Sequence, residues 1–223
     1  KFAYNEFEEF KGEKVAFRGK KPNIYGLDNI IYKCPNCQGE HCFSVENDTM
    51  QCSNCQFTVK MDEYYDIVGV NGVLPFENVD EWYKWQRRCV VKEIQDENFE
   101  MRLRGNLCAL KLDKLRKTPK DRKVLSMGEA KLTNRGLTFT GTLDGQPSNF
   151  EFDAKGVYSL TFSTKGFLEF YYGNEYFLIV PEDKDEVLIK WTLASEEIHN
   201  LYDEKWRLAC EDVYEYHKGD IYE

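Results

Sequence analysis

No stretch of this 223-residue chain approaches the ~18 consecutive apolar residues of a membrane-spanning helix. No secretory signal is expected from its opening residues. Catalytic signatures are equally scarce. There is no nucleophile elbow, no phosphate-cradling glycine loop and no pair of carboxylates in a recognisable setting. Asp62-Glu63 and Glu196-Glu197 are adjacent acids, which point apart on a strand or helix and read as solvated faces. Histidine occurs only three times. The first residue is Lys1 rather than methionine, which suggests a piece of a longer parent protein. What remains is the composition of a folded globular protein, 42% hydrophobic and 15% aromatic.

Basic charge exceeds acidic charge in one short segment, while the rest of the chain is acidic. Seven basic residues fall between Lys111 and Lys123 against Asp113 and Asp121, a local charge of +5. Because the whole chain carries −9, the rest holds −14. An acidic body repels phosphate backbones, which counts against nucleic-acid binding.

Cysteine, by contrast, is patterned. Cys34-Pro35-Asn36-Cys37 is followed after fourteen residues by Cys52-Ser53-Asn54-Cys55. A pair spaced by two residues bends back to offer both sulfurs to one ion, and four thiolates at ~2.3 Å make a closed tetrahedral zinc site. Cys34, Cys37, Cys52 and Cys55 are therefore the candidate ligands and zinc the candidate cofactor. Two disulfides, or unrelated buried thiols, are the alternatives; His41 and Cys42 lie within reach as substitute ligands. Cys42, Cys89, Cys108 and Cys210 form no disulfide framework, which with a zinc-type site points to a reducing cytosol.

Along the chain, Phe2, Phe7 and Phe10 share one side of a short helix in a 1–27 linker. A zinc ribbon is expected over 28–67. Ile30-Ile31-Tyr32 enters it as a strand, His41 to Gln51 makes a hairpin, and Phe57-Thr58-Val59 leaves as another strand. A connecting helix follows within 68–97, capped by Asp80, with Trp82, Trp85 and Cys89 on one face. The tryptophans read as packing groups rather than a ligand platform. From Phe99 the period becomes two, with turns at Asn134-Arg135-Gly136, Asp144-Gly145, Lys165-Gly166 and Gly173-Asn174. Seven or eight short antiparallel strands are expected. Pro181 ends them, and Asp183 or Asp185 caps a helix carrying Val187, Trp191, Ala194, Ile198 and Leu201. The expected fold is thus mainly β with helices. It comprises the zinc-ribbon module, the connecting helix, a pleckstrin-homology-like β-roll closed by a C-terminal amphipathic helix over 98–209, and an acidic tail over 210–223.

The order of segments resembles the C-terminal extension of some bacterial 1-acyl-glycerol-3-phosphate acyltransferases. The matching pieces are Ile31-Tyr32-Lys33-Cys34-Pro35-Asn36-Cys37, Met61-Asp62-Glu63-Tyr64, Glu81-Trp82-Tyr83-Lys84-Trp85-Gln86-Arg87, Gly128-Glu129-Ala130-Lys131-Leu132-Thr133 and Lys190-Trp191-Thr192-Leu193-Ala194-Ser195-Glu196. Acyltransferases of this family use a histidine followed after four residues by an aspartate. Here the residue five places after His41 is Glu46, after His199 Glu204 and after His217 Tyr222, so no catalytic residue carries over. The resemblance implies a catalytic domain upstream, with this chain as a non-catalytic accessory region. The paired cysteines carry over as ligands.

The expected partners are that upstream domain and an anionic membrane surface at its cytoplasmic face. Lys114, Arg116, Lys117, Lys120 and Arg122 are the candidate lipid-binding residues, since each basic residue near an anionic leaflet contributes about 1 kcal/mol. The competing expectation is a zinc-ribbon adaptor for nucleic acid or a protein complex, against which the acidic body argues.

Overall fold

Residue alternation builds the first of two units into which the chain divides, Lys1–Arg88 and Cys89–Glu223. The computed structural model describes residues 15–110, 122–163, 165–184 and 186–202. The expected helix with Phe2, Phe7 and Phe10, most of the basic segment and the acidic tail lie outside the described residues. In the first unit β1 (Phe43–Glu46), β2 (Thr49–Cys52), β3 (Thr58–Met61) and β4 (Ile67–Gly69) form an antiparallel sheet in sequence order. Met50, Cys52, Val59, Met61 and Ile67 point inward and are buried, while Gln51 and Lys60 between them are exposed. The β1–β2 hairpin turns at Asn47, whose φ of 55° suits asparagine.

Helix α1 (Val79–Glu93) supplies the other side of this core. Its cap is Asn78 rather than Asp80: the Asn78 side-chain oxygen accepts the Glu81 amide at 3.0 Å, and Asp80 instead pairs with Lys84 at 3.0 Å. Trp82 is fully buried, with Phe43 edge-on at 5.5 Å and Phe76 stacked at 5.8 Å. The buried stripe runs Trp82, Gln86, Val90, not Trp82, Trp85, Cys89. A glutamine occupies a position that a hydrophobic pattern assigns to the outside.

Gln86 explains a second difference. Ile30-Ile31-Tyr32 forms no strand; only an isolated Lys33–Glu40 bridge lies there. The Tyr32 amide donates to Gln86 Oε1 at 3.0 Å, Gln86 Nε2 donates to the Ile30 carbonyl at 2.7 Å, and Trp82 Nε1 donates to the Lys33 carbonyl at 3.1 Å. Helix side chains take the place of a neighbouring strand.

The second unit holds β5 (Glu100–Leu110), β6 (Arg122–Thr133), β7 (Gly136–Leu143), β8 (Gln146–Asp153), β9 (Thr161–Ser163), β10 (Phe167–Tyr172), β11 (Glu175–Pro181) and α2 (Ile189–Tyr202). Asp144 and Gly145 both have positive φ, as a two-residue hairpin demands. All seven strands lie in one antiparallel sheet, in the order β8-β7-β6-β5-β11-β10-β9.

The expected closed β-roll is therefore corrected: the sheet is open, with β8 and β9 as its two edges. At the β9 edge the place of a closing strand is taken by α2. Thr192 Oγ1 donates to the Leu160 carbonyl at 2.7 Å and accepts the Phe162 amide at 3.2 Å, and Ser195 Oγ accepts the Leu160 amide at 2.8 Å. Backbone groups already satisfied this way cannot pair with β8. The sheet nevertheless folds over itself through side chains: Phe152 on β8 meets Phe170 and Phe177, on β10 and β11, at 5.1 and 5.0 Å.

A row of glycines permits that bend. Gly105 pairs with Gly128 and Gly128 with Gly141 across β5, β6 and β7. A Cβ on each would fall 2.1–2.3 Å from a carbonyl oxygen of the adjacent strand. Helix α2 also differs from expectation. It starts at Ile189, and eleven of its residues are buried, so it is enclosed rather than amphipathic. Lys190, in its first turn, pairs with Glu93 at 2.7 Å.

Candidate metal centre

Both cysteine pairs sit on backbone of the same construction. Cys34-Pro35-Asn36-Cys37-Gln38 and Cys52-Ser53-Asn54-Cys55-Gln56 share the pattern Cys-x-Asn-Cys-Gln. In each, the glutamine has φ near +60° and its amide donates to the carbonyl of the first cysteine at 2.9 Å. The amide of that cysteine donates five residues on, Cys34 to Gly39 at 2.8 Å and Cys52 to Phe57 at 2.9 Å. The glutamine side chains close the turns, Gln38 onto the Pro35 carbonyl at 3.1 Å and Gln56 onto Ser53 at 3.0 Å. Two equal knuckles thus face one another. The Lys33–Glu40 ion pair at 2.8 Å braces the first.

The geometry selects among the alternatives. The sulfurs of Cys34, Cys37, Cys52 and Cys55 all lie within 4.8 Å of one another. Cys34 and Cys55 are 3.8 Å apart and Cys37 and Cys52 3.7 Å. A disulfide needs about 2.05 Å, and all seven described cysteines are free. A tetrahedron built on ~2.3 Å metal–sulfur bonds has edges of about 3.8 Å. The four sulfurs thus fit one tetrahedral metal ion. His41 stands outside the group, its ring stacked on Tyr32 at 5.5 Å. Cys42 is buried beside it, 3.3 Å from Cys52.

Electrostatics agree with a site that needs a cation. Burial pushes the Cys34 thiol well above its ordinary value, against the lowering effect of the Cys37 and Asn36 amides. Cys37 feels the Gly39 amide most strongly, which lowers it, yet burial and the Cys55 and Cys52 sulfurs leave it raised overall. Cys55 is pulled down to about 6, chiefly by the Asn36 side chain and then by the Phe57 amide. Cys42 is pushed up to about 12 by burial and by Cys52. Sulfurs this close do not ionise together without a positive charge between them. Once four thiolates fill the tetrahedron, no position is left for water or substrate.

The repeated asparagine and glutamine escaped the cysteine-spacing argument, although the two pentapeptides carry them openly. Trp82 was legible as a packing residue of the helix, but the hydrogen bonds by which Gln86 and Trp82 hold the approach to Cys34 gave no local signal. Of the basic residues, Lys114, Arg116, Lys117 and Lys120 lie outside the described residues. Arg122 begins β6 and covers the Phe167 ring at 4.5 Å. Among the described residues no helix is long and apolar enough to cross a membrane. No known protein family, curated protein or solved structure matches the chain.

Proposed function

We propose that this chain is a non-catalytic accessory region pinned by a structural zinc ion, belonging to a 1-acyl-glycerol-3-phosphate acyltransferase of phospholipid synthesis. The observation that carries the reading is the closed four-sulfur cluster, whose 3.7–3.8 Å contacts suit zinc. The zinc would join two knuckles that have few apolar residues of their own, so that its binding energy becomes folding energy.

The residues behind the family resemblance support a structural role. Tyr32, Trp82 and Gln86 tie helix α1 to the segment before Cys34. Lys190 pairs with Glu93, and Thr192 and Ser195 seal the β9 edge. Each is used in folding, which is what an accessory region of an acyltransferase asks of them. In this reading the partner is the catalytic domain of the same protein. The second unit and the basic residues Lys114, Arg116, Lys117, Lys120 and Arg122 act at the cytoplasmic face of an anionic membrane.

Metal analysis of the purified chain tests the core of this reading. One zinc per chain is expected, with four thiols becoming reactive once a chelator removes it. Absence of zinc, with all cysteines reduced and intact, overturns it. The isolated chain is expected to give no acyl transfer from a thioester donor to a lysophosphatidic acid. Sedimentation with anionic vesicles is expected to fall when the five basic residues are replaced; unchanged sedimentation removes the membrane role.

A further inference from the structure

We infer that Cys42 is a positioning residue of the metal centre, its thiol donating a hydrogen bond to the Cys52 sulfur from outside the ligand shell. The inference rests on the four-thiolate zinc reading and adds a fifth sulfur with a different task. Cys42 Sγ lies 3.3 Å from Cys52 Sγ, closer than the 3.7 and 3.8 Å contacts between ligand sulfurs. It is not one of the four sulfurs that all lie within 4.8 Å of one another, so it does not share their tetrahedron.

Its place is built rather than accidental. The Cys42 carbonyl accepts the Ser53 amide at 2.7 Å, one residue beyond the Phe43–Cys52 rung of the β1–β2 ladder. This sets Cys42 diagonally across from Cys52. Gly39 packs against the cluster: a Cβ there would come 2.6 Å from Asn54 Nδ2 and 3.1 Å from Cys37 Sγ, and would only touch Cys42 Sγ at 3.4 Å. Both Cys42 and Cys52 are buried, so water does not compete for the contact.

Between the two free thiols Cys52 Sγ is the donor and Cys42 Sγ the acceptor. Once Cys52 is a metal-bound thiolate it has no proton, and across the same 3.3 Å contact the direction reverses: Cys42 gives, Cys52 accepts. Four thiolates around a divalent ion leave two negative charges on the site. A buried donor draws density from one of them, steadies the metal–sulfur bond and holds the Cys52 rotamer. Partners of this kind, one bond removed from the metal, typically change affinity 10–100-fold.

The test loads wild type, Cys42→Val, Cys42→Ala and Cys42→Ser with Co(II), reads the tetrahedral and sulfur-to-metal charge-transfer bands, then measures zinc affinity by chelator competition. All four proteins are expected to bind one ion through four thiolates. Val and Ala are expected to hold zinc roughly tenfold less tightly and to shift the charge-transfer band to lower energy. Ser, which still donates, is expected to restore both. Unchanged affinity and spectrum in Cys42→Val overturns the inference, as does a serine variant that behaves like valine. Loss of one thiolate in Cys42→Ala also overturns it, by making Cys42 a ligand. Failure of the wild type to take up one ion through four thiolates defeats the zinc reading itself and is distinguishable from all of these.

Discussion

Replacing Gln86 by leucine isolates the device that holds the first cysteine pair. The side chain is fully buried and makes two hydrogen bonds to the Ile30–Tyr32 backbone, accepting at 3.0 Å and donating at 2.7 Å. Leucine has nearly the same volume and a similar helix preference, so neither a cavity nor a weakened helix enters. What remains is a bare, buried Tyr32 amide, costing about 1–3 kcal/mol without a partner, and an Ile30 carbonyl only partly buried, for which about 1 kcal/mol is the upper figure. Some of that is offset because leucine is easier to bury than an amide, by roughly 1–2 kcal/mol. A net loss of about 1–2 kcal/mol is therefore expected.

Urea denaturation followed by tryptophan fluorescence measures it, since Trp82 lies in the same core. Arg88→Leu, at an exposed position on the same helix, is the control and is expected to change stability by less than about 0.5 kcal/mol. Amide exchange at Tyr32 is expected to rise sharply in the Gln86 variant. Metal affinity is expected to fall with it, because the loosened segment runs directly into Cys34. A Gln86→Leu protein within about 0.5 kcal/mol of wild type, with Tyr32 still protected, refutes the account.

Three further outcomes are expected. Gly128→Ala places a Cβ 2.1 Å from the Thr140 carbonyl oxygen, and a loss of about 2–4 kcal/mol in chemical denaturation follows from so close a backbone approach; a neutral result rejects the glycine-row account of the bend. Thr192→Val leaves the Leu160 carbonyl and Phe162 amide without their partner and is expected to cost about 1–3 kcal/mol, with faster amide exchange at Phe162; unchanged exchange there contradicts the sealed edge. Glu100 is held down to about 2, first by Arg102 and then by Lys131, so its contribution is present above the unfolded value of about 4.3 and is lost as pH falls through about 2. Denaturation midpoints of wild type and Glu100→Gln should therefore converge on acidification, and high salt should shrink the gap, since the group is exposed; a difference that stays constant from neutral pH to pH 2 counts against the interaction.

Much of the architecture was open to local reading. The paired cysteines, the Asp144-Gly145 hairpin and the alternation that makes the strands are short-range patterns, and each appears where expected. The misreadings share one cause. Asp80 and Asn78 are both plausible caps two residues apart, and only the folded backbone shows which side chain reaches the Glu81 amide. A buried glutamine looks like a surface residue until its backbone partners are in place. Three glycines at 105, 128 and 141 carry no meaning singly and become a bend only when strand pairing aligns them. Seven or eight short strands followed by a helix suit a closed roll, but neither feature says which sheet edge the helix will occupy.

The turns of the two metal knuckles are written locally, because the backbone bonds that close each of them span four or five residues and start from one repeated pentapeptide. How they are used depends on long-range packing. The meeting of the knuckles, the grip of Gln86 on Tyr32 from 54 residues away, and the sealing of β9 by Thr192 from 30 residues away are partnerships between distant groups. Such groups find one another because a buried donor or acceptor must be paired wherever the chain's packing puts it. No local pattern records that requirement.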